Sequence, residues 1–426
     1  MRLVVAALAV STTWAAGVVV VATVVGSWWW SLTGGGLLAA SIAGGMCVLA
    51  RRRARRREAT DARRSLLARP FLGPALLATM AGIVSITWLW PGSGAGGPDL
   101  VPGTVRIARP DGSELAVHVT RAGAATEPPI VVVHGGPGVA DMAHDVPAFA
   151  ALATDRDVYV YDQIGTGASS RLADPRGYTD DRAVQDLEAV RVRTGADRVV
   201  LLGHSWGARV ATLYLSRYPA RVSGLVLSAP GFLPVGGEPP PPGDTTARLG
   251  AAERARLYVR LAAPRNLFAY ALTAADPRVA HAAAGDAEMD RRFAMIYRHT
   301  APGLFCDAAL SVRLGTAGLG YYANQVPQLL PENVLSYADP AVLASVTVPV
   351  LVIKPACDYL PWKAVTDYRD ALPTARVVVL PDAGHQAYLE RPQEYRDLVL
   401  AFLDGRALPF PTDRGRGIPE AYRGVR

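Results

Sequence analysis

Long uncharged apolar stretches flank one basic block over the first ninety residues, and short β-branched runs alternate with helix-like segments over the remainder. Leu3–Val25 holds no charged residue in 23 positions, and at about 1.5 Å per residue it would span roughly 34 Å, enough for a bilayer core. Leu32–Ala50 is a second, weaker stretch whose glycines (Gly34, Gly35, Gly36, Gly44, Gly45) suit a membrane helix that neighbours approach closely. Phe71–Trp90 is the third, with Pro74 near its start, where a missing N–H costs little. Trp28, Trp29, Trp30, Trp88 and Trp90 fall at the ends of these stretches, as interfacial aromatics should. A cleaved signal peptide ending near Ala15-Ala16-Gly17 is the alternative for the first stretch. Against it, only Arg2 precedes the apolar run, which continues well past that site.

Pro91–Gly103 reads as a linker of turn and breaker residues. Beyond it the expected strands are Thr104–Arg109, Glu114–Arg121, Ile130–Val133, Val158–Tyr161, Val199–Leu202, Leu225–Leu227, Val350–Ile353 and Val377–Leu380. The last six are almost continuously apolar, as strands covered on both faces must be. Asp180–Thr194, Ala208–Tyr218, Trp362–Ala371 and Pro392–Leu403 are the expected intervening helices. A leading antiparallel pair followed by strand–helix alternation predicts an α/β fold of three layers around a mostly parallel sheet.

Charge places the chain relative to a membrane. The formal net charge of +7 on 426 residues is wholly accounted for by nine arginines between Arg51 and Arg69, set against Glu58 and Asp61. The rest is neutral on balance and offers no basic surface for nucleic acid. The positive-inside rule puts the arginine block in the cytoplasm, so three spans leave everything after Trp90 on the non-cytoplasmic side. The expectation is a multi-pass cell-membrane protein with the lipid bilayer as a partner. Three cysteines make no disulfide scaffold, no Cys/His cluster has metal spacing, and Gly165-Thr166-Gly167 lacks the length and lysine of a phosphate loop. Neither metal nor cofactor is expected.

The chemistry concentrates in four places. Gly203-His204-Ser205-Trp206-Gly207 lies between a predicted strand and a predicted helix, the context of a nucleophile elbow. Its glycines have a steric reason: a strained turn that lifts the Ser205 Oγ above the sheet leaves no room for side chains beside it. A serine hydroxyl needs a base. His385, in Asp382-Ala383-Gly384-His385 just after the last strand, can reach the elbow, whereas His299 sits in a helix-like stretch and suits a solvent or capping role. Asp358, on the loop after Val350–Ile353, is the expected acid, and Asp382 the expected cap of its own turn. His134-Gly135-Gly136-Pro137-Gly138 follows Ile130–Val133, so the N–H groups of Gly136 and Trp206 are the expected oxyanion donors.

Taken together, HGGPG at His134–Gly138, Asp162-Gln163-Ile164-Gly165-Thr166-Gly167-Ala168-Ser169, the elbow with Trp206 after the serine, Asp358 and Gly384-His385 resemble the proline iminopeptidase family of α/β-hydrolases. The likeness covers roughly residues 104–403. It implies an α/β-hydrolase fold, a serine hydrolase working through an acyl-enzyme, and aminopeptidase activity on a peptide or small-molecule substrate. Two departures bear on prolyl specificity: Ile164 stands where the family favours arginine, and Lys354-Pro355-Ala356-Cys357 precedes the acid where Gly-Arg-Tyr is usual.

Residues 231–345 fall where such enzymes carry a lid, with helix-like stretches around Ala251–Leu261, Glu288–Arg298 and Ala308–Leu314. An aminopeptidase lid needs a carboxylate for the substrate's cationic terminus. Glu253, Asp286, Glu288 and Asp290 are available, though each fits a solvated helix face. Cys306 and Cys357 are expected to be two partly buried free thiols, with a lid-to-acid-loop bridge as the alternative. Residues 404–426 read as a tail. A carboxylesterase or lipase-like enzyme uses the same triad, and a non-catalytic binding module would ordinarily have lost a member of it.

Overall fold

A computed structural model describes Met80 and residues 100–424 except 237–243, 247 and 416. The expected spans Leu3–Val25, Leu32–Ala50 and Phe71–Trp90, the Arg51–Arg69 block and most of the linker lie outside the described residues, apart from Met80, which is helical. Among the described residues no helix is long and apolar enough to cross a membrane.

The core is a nine-stranded sheet. Its strands are β1 (Val105–Ala108), β2 (Glu114–Thr120), β3 (Ile130–Val133), β5 (Val158–Tyr161), β6 (Val199–His204), β7 (Val222–Ser228), β9 (Val350–Pro355), β10 (Ala375–Leu380) and β11 (Thr412–Asp413). They run in the order β1-β2-β5-β3-β6-β7-β9-β10-β11, and β4 (Val139–Ala140) pairs with β8 (Gly318–Leu319) in a separate ribbon. From β5 to β10 every pairing is parallel, while β1, β2 and β11 join antiparallel at the two edges. Strands β3, β5, β6 and β9 are buried along their whole length, which requires cover on both faces and explains why alternation is absent from their sequences.

The main helices are α1 (Met142–Ala150), α2 (Asp180–Thr194), α3 (Trp206–Arg217), α4 (Ala251–Leu261), α5 (Pro264–Ala275), α6 (Pro277–Ala283), α7 (Asp286–Thr300), α8 (Tyr321–Leu329), α9 (Lys363–Ala371) and α10 (Pro392–Leu403). Helix α2 shows why its limits were readable: the Thr179 side chain accepts from the Arg182 N–H at its start, and Gly195 closes it at φ 76°. Helix α1, which carries Pro147 inside it, is absent from the helices expected from the sequence. The elbow helix starts at Trp206 rather than Ala208, since the chain turns directly off β6.

One expectation is corrected. Cys306 and Cys357 form a disulfide, not two free thiols, their Cα atoms lying 5.3 Å apart. The approach is arranged by Glu390, whose carboxylate accepts from the N–H groups of Cys306 (3.0 Å), Asp307 (2.7 Å) and Gly384 (2.6 Å). Within the described part of the C-terminal segment, β11 pairs with β10 and Tyr422 is buried. Residues 262–285, which hold α5 and α6, fall in a compact unit separate from the hydrolase body. Within it the Arg265 guanidinium donates to the Ala283 carbonyl at 2.7 Å.

Candidate active site

Strand β6 ends at His204 and α3 begins at Trp206, leaving Ser205 alone in the turn at φ 53°, a left-handed conformation that costs a non-glycine residue. Packing enforces that strain. A Cβ on Gly203 would sit 2.6 Å from the Gly207 carbonyl oxygen, and one on Gly207 would sit 1.9 Å from the Val133 carbonyl oxygen. Ser205 is anchored through its backbone, its N–H donating to the Ser228 carbonyl at 2.9 Å and its carbonyl accepting from the Gly231 N–H at 3.1 Å. Trp206 opens α3, where the first N–H groups have no acceptor within the helix.

His385 and Ser205 line one cavity of about 380 Å³. Behind His385, Asp358 is fully buried, with its Oδ1 2.8 Å from the His385 Nδ1. Burial alone would raise the Asp358 carboxyl, but the Lys354 ammonium and then His385 outweigh it and hold it well below the usual carboxylate range. An ionised carboxylate only accepts, so the Nδ1 carries the proton and the Nε2 is the free basic position. His204 packs its ring 4.9 Å from that of His385. Burial, then the neighbouring imidazole, drives the His204 pKa far down, so it adds no second cation there.

Gly136 lines the same cavity. It stands at φ 123°, and a Cβ there would meet the Gly138 nitrogen at 2.6 Å, so only glycine fits. His134 supports this loop from behind: its Nδ1 lies 2.9 Å from the Gly135 carbonyl oxygen, and its Nε2 accepts from the Gln163 N–H at 3.0 Å. Burial lowers its pKa to about 4, keeping it neutral in that role. Asp162 anchors the supporting loop, with the Ala168 N–H donating to its Oδ2 at 2.8 Å and the Ser169 Oγ donating to its backbone carbonyl at 2.6 Å. Where the family favours arginine, the Ile164 side chain is buried. Arg171 instead reaches from this loop to the lid, donating to Asp290 Oδ2 at 3.0 Å. Trp206 is not among the residues lining this cavity. Its ring lies under the Arg209 guanidinium at 5.5 Å, and its backbone N–H is what it can offer.

The carboxylates in the cavity were not expected. None of Glu253, Asp286, Glu288 and Asp290 lines it. Glu253 accepts from the Gly250 N–H, while Glu288 and Asp290 are spent on Arg292 and Arg171. In their place stand Asp141 and Asp145, from the start of α1. Burial, reinforced by the charge of Asp141, raises the Asp145 carboxyl well above its ordinary range, and the Tyr388 hydroxyl donates to its Oδ1 at 2.9 Å. Tyr297, Tyr359, Tyr388 and Phe293 wall the same space. The two aspartates stand four residues apart, beginning three residues past HGGPG, and nothing in that spacing marks them until α1 is recognised as a helix.

A mostly parallel α/β sheet with a serine elbow, a carboxylate-bound histidine and a glycine loop around one cavity defines a hydrolase. Residues 128–392 match the family described as alpha/beta hydrolase fold, and the chain belongs to it. The proline iminopeptidase of Levilactobacillus brevis is 28% identical over 280 residues, 65% of this chain and 88% of that protein. That of Heyndrickxia coagulans is 39% identical over 102 residues, 24% of this chain, so the match spans only 35% of that relative's length. A serine hydrolase structure from Cycloclasticus zankles superposes with a TM-score of 0.50 at 19% identity, covering 71% of this chain and 98% of that one. This last likeness concerns the fold alone.

Proposed function

We propose that the protein is a membrane-held serine hydrolase of aminopeptidase type that cleaves its substrate through an acyl-enzyme. The observation that carries this reading is one cavity lined by Ser205, His385, Gly136 and the two carboxylates Asp141 and Asp145. In the proposed cycle the His385 Nε2 takes the Ser205 hydroxyl proton as Oγ bonds to the substrate carbonyl carbon. The N–H groups of Gly136 and Trp206 receive the oxyanion, and His385 returns the proton to the departing amine. Water then repeats the sequence on the acyl-enzyme. In this reading a cationic amino terminus sits beside Asp145 and holds it ionised; Asp141, which already accepts from the Gly315 N–H at 2.6 Å and lies 2.8 Å from the His144 Nδ1, adds its charge nearby, and the aromatic walls add cation–π attraction. The resemblance to proline iminopeptidases supports the same substrate class.

A carboxylesterase is the second reading, favoured by the apolar lining of Phe232, Phe293, Leu304 and Leu314. Turnover of prolyl and aminoacyl arylamides against simple acyl esters separates the two. The proposal expects arylamide cleavage that Ser205→Ala abolishes together with fluorophosphonate labelling. Ester turnover without arylamide turnover selects the esterase, and persistent labelling of the folded Ser205→Ala protein removes the serine from its role. Membrane attachment with an outward-facing hydrolase body rests on the three apolar stretches and the arginine block, and is supported by the Cys306–Cys357 disulfide, since such bonds persist in oxidising compartments.

A further inference from the structure

Lys354 is a lysine with no exposed surface, placed at the end of β9 four residues before Asp358. Its Nζ donates to Asp358 Oδ2 at 2.8 Å and to the Leu360 carbonyl at 2.8 Å. The carboxylate is thereby divided: Oδ2 belongs to the lysine, while Oδ1 faces the His385 Nδ1 and also accepts from the Leu360 N–H at 3.2 Å. Burying an ammonium is costly, and burial does lower the Lys354 pKa against the opposing pull of Asp358.

The C-terminal segment closes over this pair. The Tyr422 hydroxyl donates to the Leu360 carbonyl at 2.7 Å, and its ring centroid lies 5.3 Å from the Lys354 Nζ. The Arg423 N–H donates to the Ala356 carbonyl at 2.7 Å, and its guanidinium pairs with Asp382, three residues before His385. A Cβ on Gly424 would lie 2.2 Å from the Asp358 carbonyl oxygen, so the strand of chain runs directly against the acid loop.

We infer that Lys354 and Tyr422 are positioning residues for the acid: the lysine takes one carboxylate oxygen so that the other is fixed on His385, and the C-terminal strap seals the ion pair from water. The inference rests on the reading of Ser205, His385 and Asp358 as nucleophile, base and acid. It also gives residues 422–424 a part in turnover, although they lie far along the chain from any motif.

A double-mutant cycle in the full chain tests it. Lys354→Met is expected to lower kcat by about 10- to 100-fold with KM within about threefold, and Tyr422→Phe to lower kcat by a smaller factor. In an Asp358→Asn background, Lys354→Met is expected to cost no further rate, because its effect passes through the missing carboxylate. Fluorophosphonate labelling rates extend the measurement to these slow variants. The Lys354→Met/Asp358→Asn protein also removes both charges at once, so it remains a folded comparison if Lys354→Met alone unfolds. Retention of kcat by folded Lys354→Met, or a multiplied loss in the Asp358→Asn background, overturns the positioning role. Full activity in Asp358→Asn itself instead refutes the underlying assignment of the acid, so the two failures are distinguishable.

Discussion

Asp145 shows how much a single side chain depends on the assembled fold for its meaning. It is nearly inaccessible, yet lines the cavity that holds Ser205, and its Oδ1 is occupied by Tyr388 from the far end of the chain. A substrate ammonium would hold its carboxyl ionised against the burial that favours the neutral form. Asp145→Asn is therefore expected to raise KM for aminoacyl arylamides by about 10-fold or more while leaving acyl ester kinetics within about twofold. Steady-state kinetics on both substrates check it, and equal changes on both would dissociate Asp145 from amine recognition. Gly136 and Gly207 were legible from sequence because the backbone around them leaves no room for a Cβ, and Ser205 because glycines two residues to either side frame its hydroxyl in a strand-to-helix turn. Asp141 and Asp145 were not, because nothing local separates a cavity carboxylate from a solvated one.

Among the elements, the loop from Asp162 to Ser169 couples the motif to stability. The Asp162 carboxylate fills the hollow beside Gly167, where a Cβ would come within 2.0 Å of its Oδ2. Burial raises its pKa to about 7, with the Ala168 N–H and Arg171 opposing. From its ordinary value near 3.8 up to the raised one, the unfolded chain has lost this proton and the folded chain keeps it. Stability from this group therefore falls as pH rises through that window, at up to about 1.4 kcal/mol per pH unit. Asp162→Asn keeps an acceptor for the Ala168 N–H without the titration, so its stability relative to the parent should grow between pH 4 and 7. Urea unfolding at three pH values measures this, and a pH-independent difference would exclude Asp162 as the source. The strands of the sheet were readable because burial on both faces leaves an apolar run. Much of the lid was not, since α5, α6 and α8 follow no motif and α8 is recognised by what it touches: the Asn324 side chain donates to the Pro137 carbonyl at 2.5 Å, behind the Gly136 turn.

At the scale of the whole molecule the proposed membrane attachment carries a prediction about the side on which the hydrolase body lies. Nine arginines between Arg51 and Arg69 are far costlier to translocate than to leave in the cytoplasm, and short loops follow that bias most closely. With two apolar stretches before the block and one after it, the proposed topology would carry residues from Pro91 onward outside. Cleavage of Leu3–Val25 as a signal peptide would leave that outcome unchanged, because the second and third stretches still bracket the arginines. The weaker Leu32–Ala50 stretch decides the matter: if it stays out of the bilayer while the other two insert, either the arginines cross or the body remains inside. The Cys306–Cys357 bond, which closes 51 residues of chain between lid and acid loop, is the kind of link that persists outside the reducing cytoplasm. Protease added to spheroplasts is therefore expected to digest the 104–403 region while an epitope within Arg51–Arg69 stays protected, and non-reducing electrophoresis of the same sample should show the disulfide intact. Protection of the hydrolase body until lysis, together with reduced cysteines, would place it in the cytoplasm.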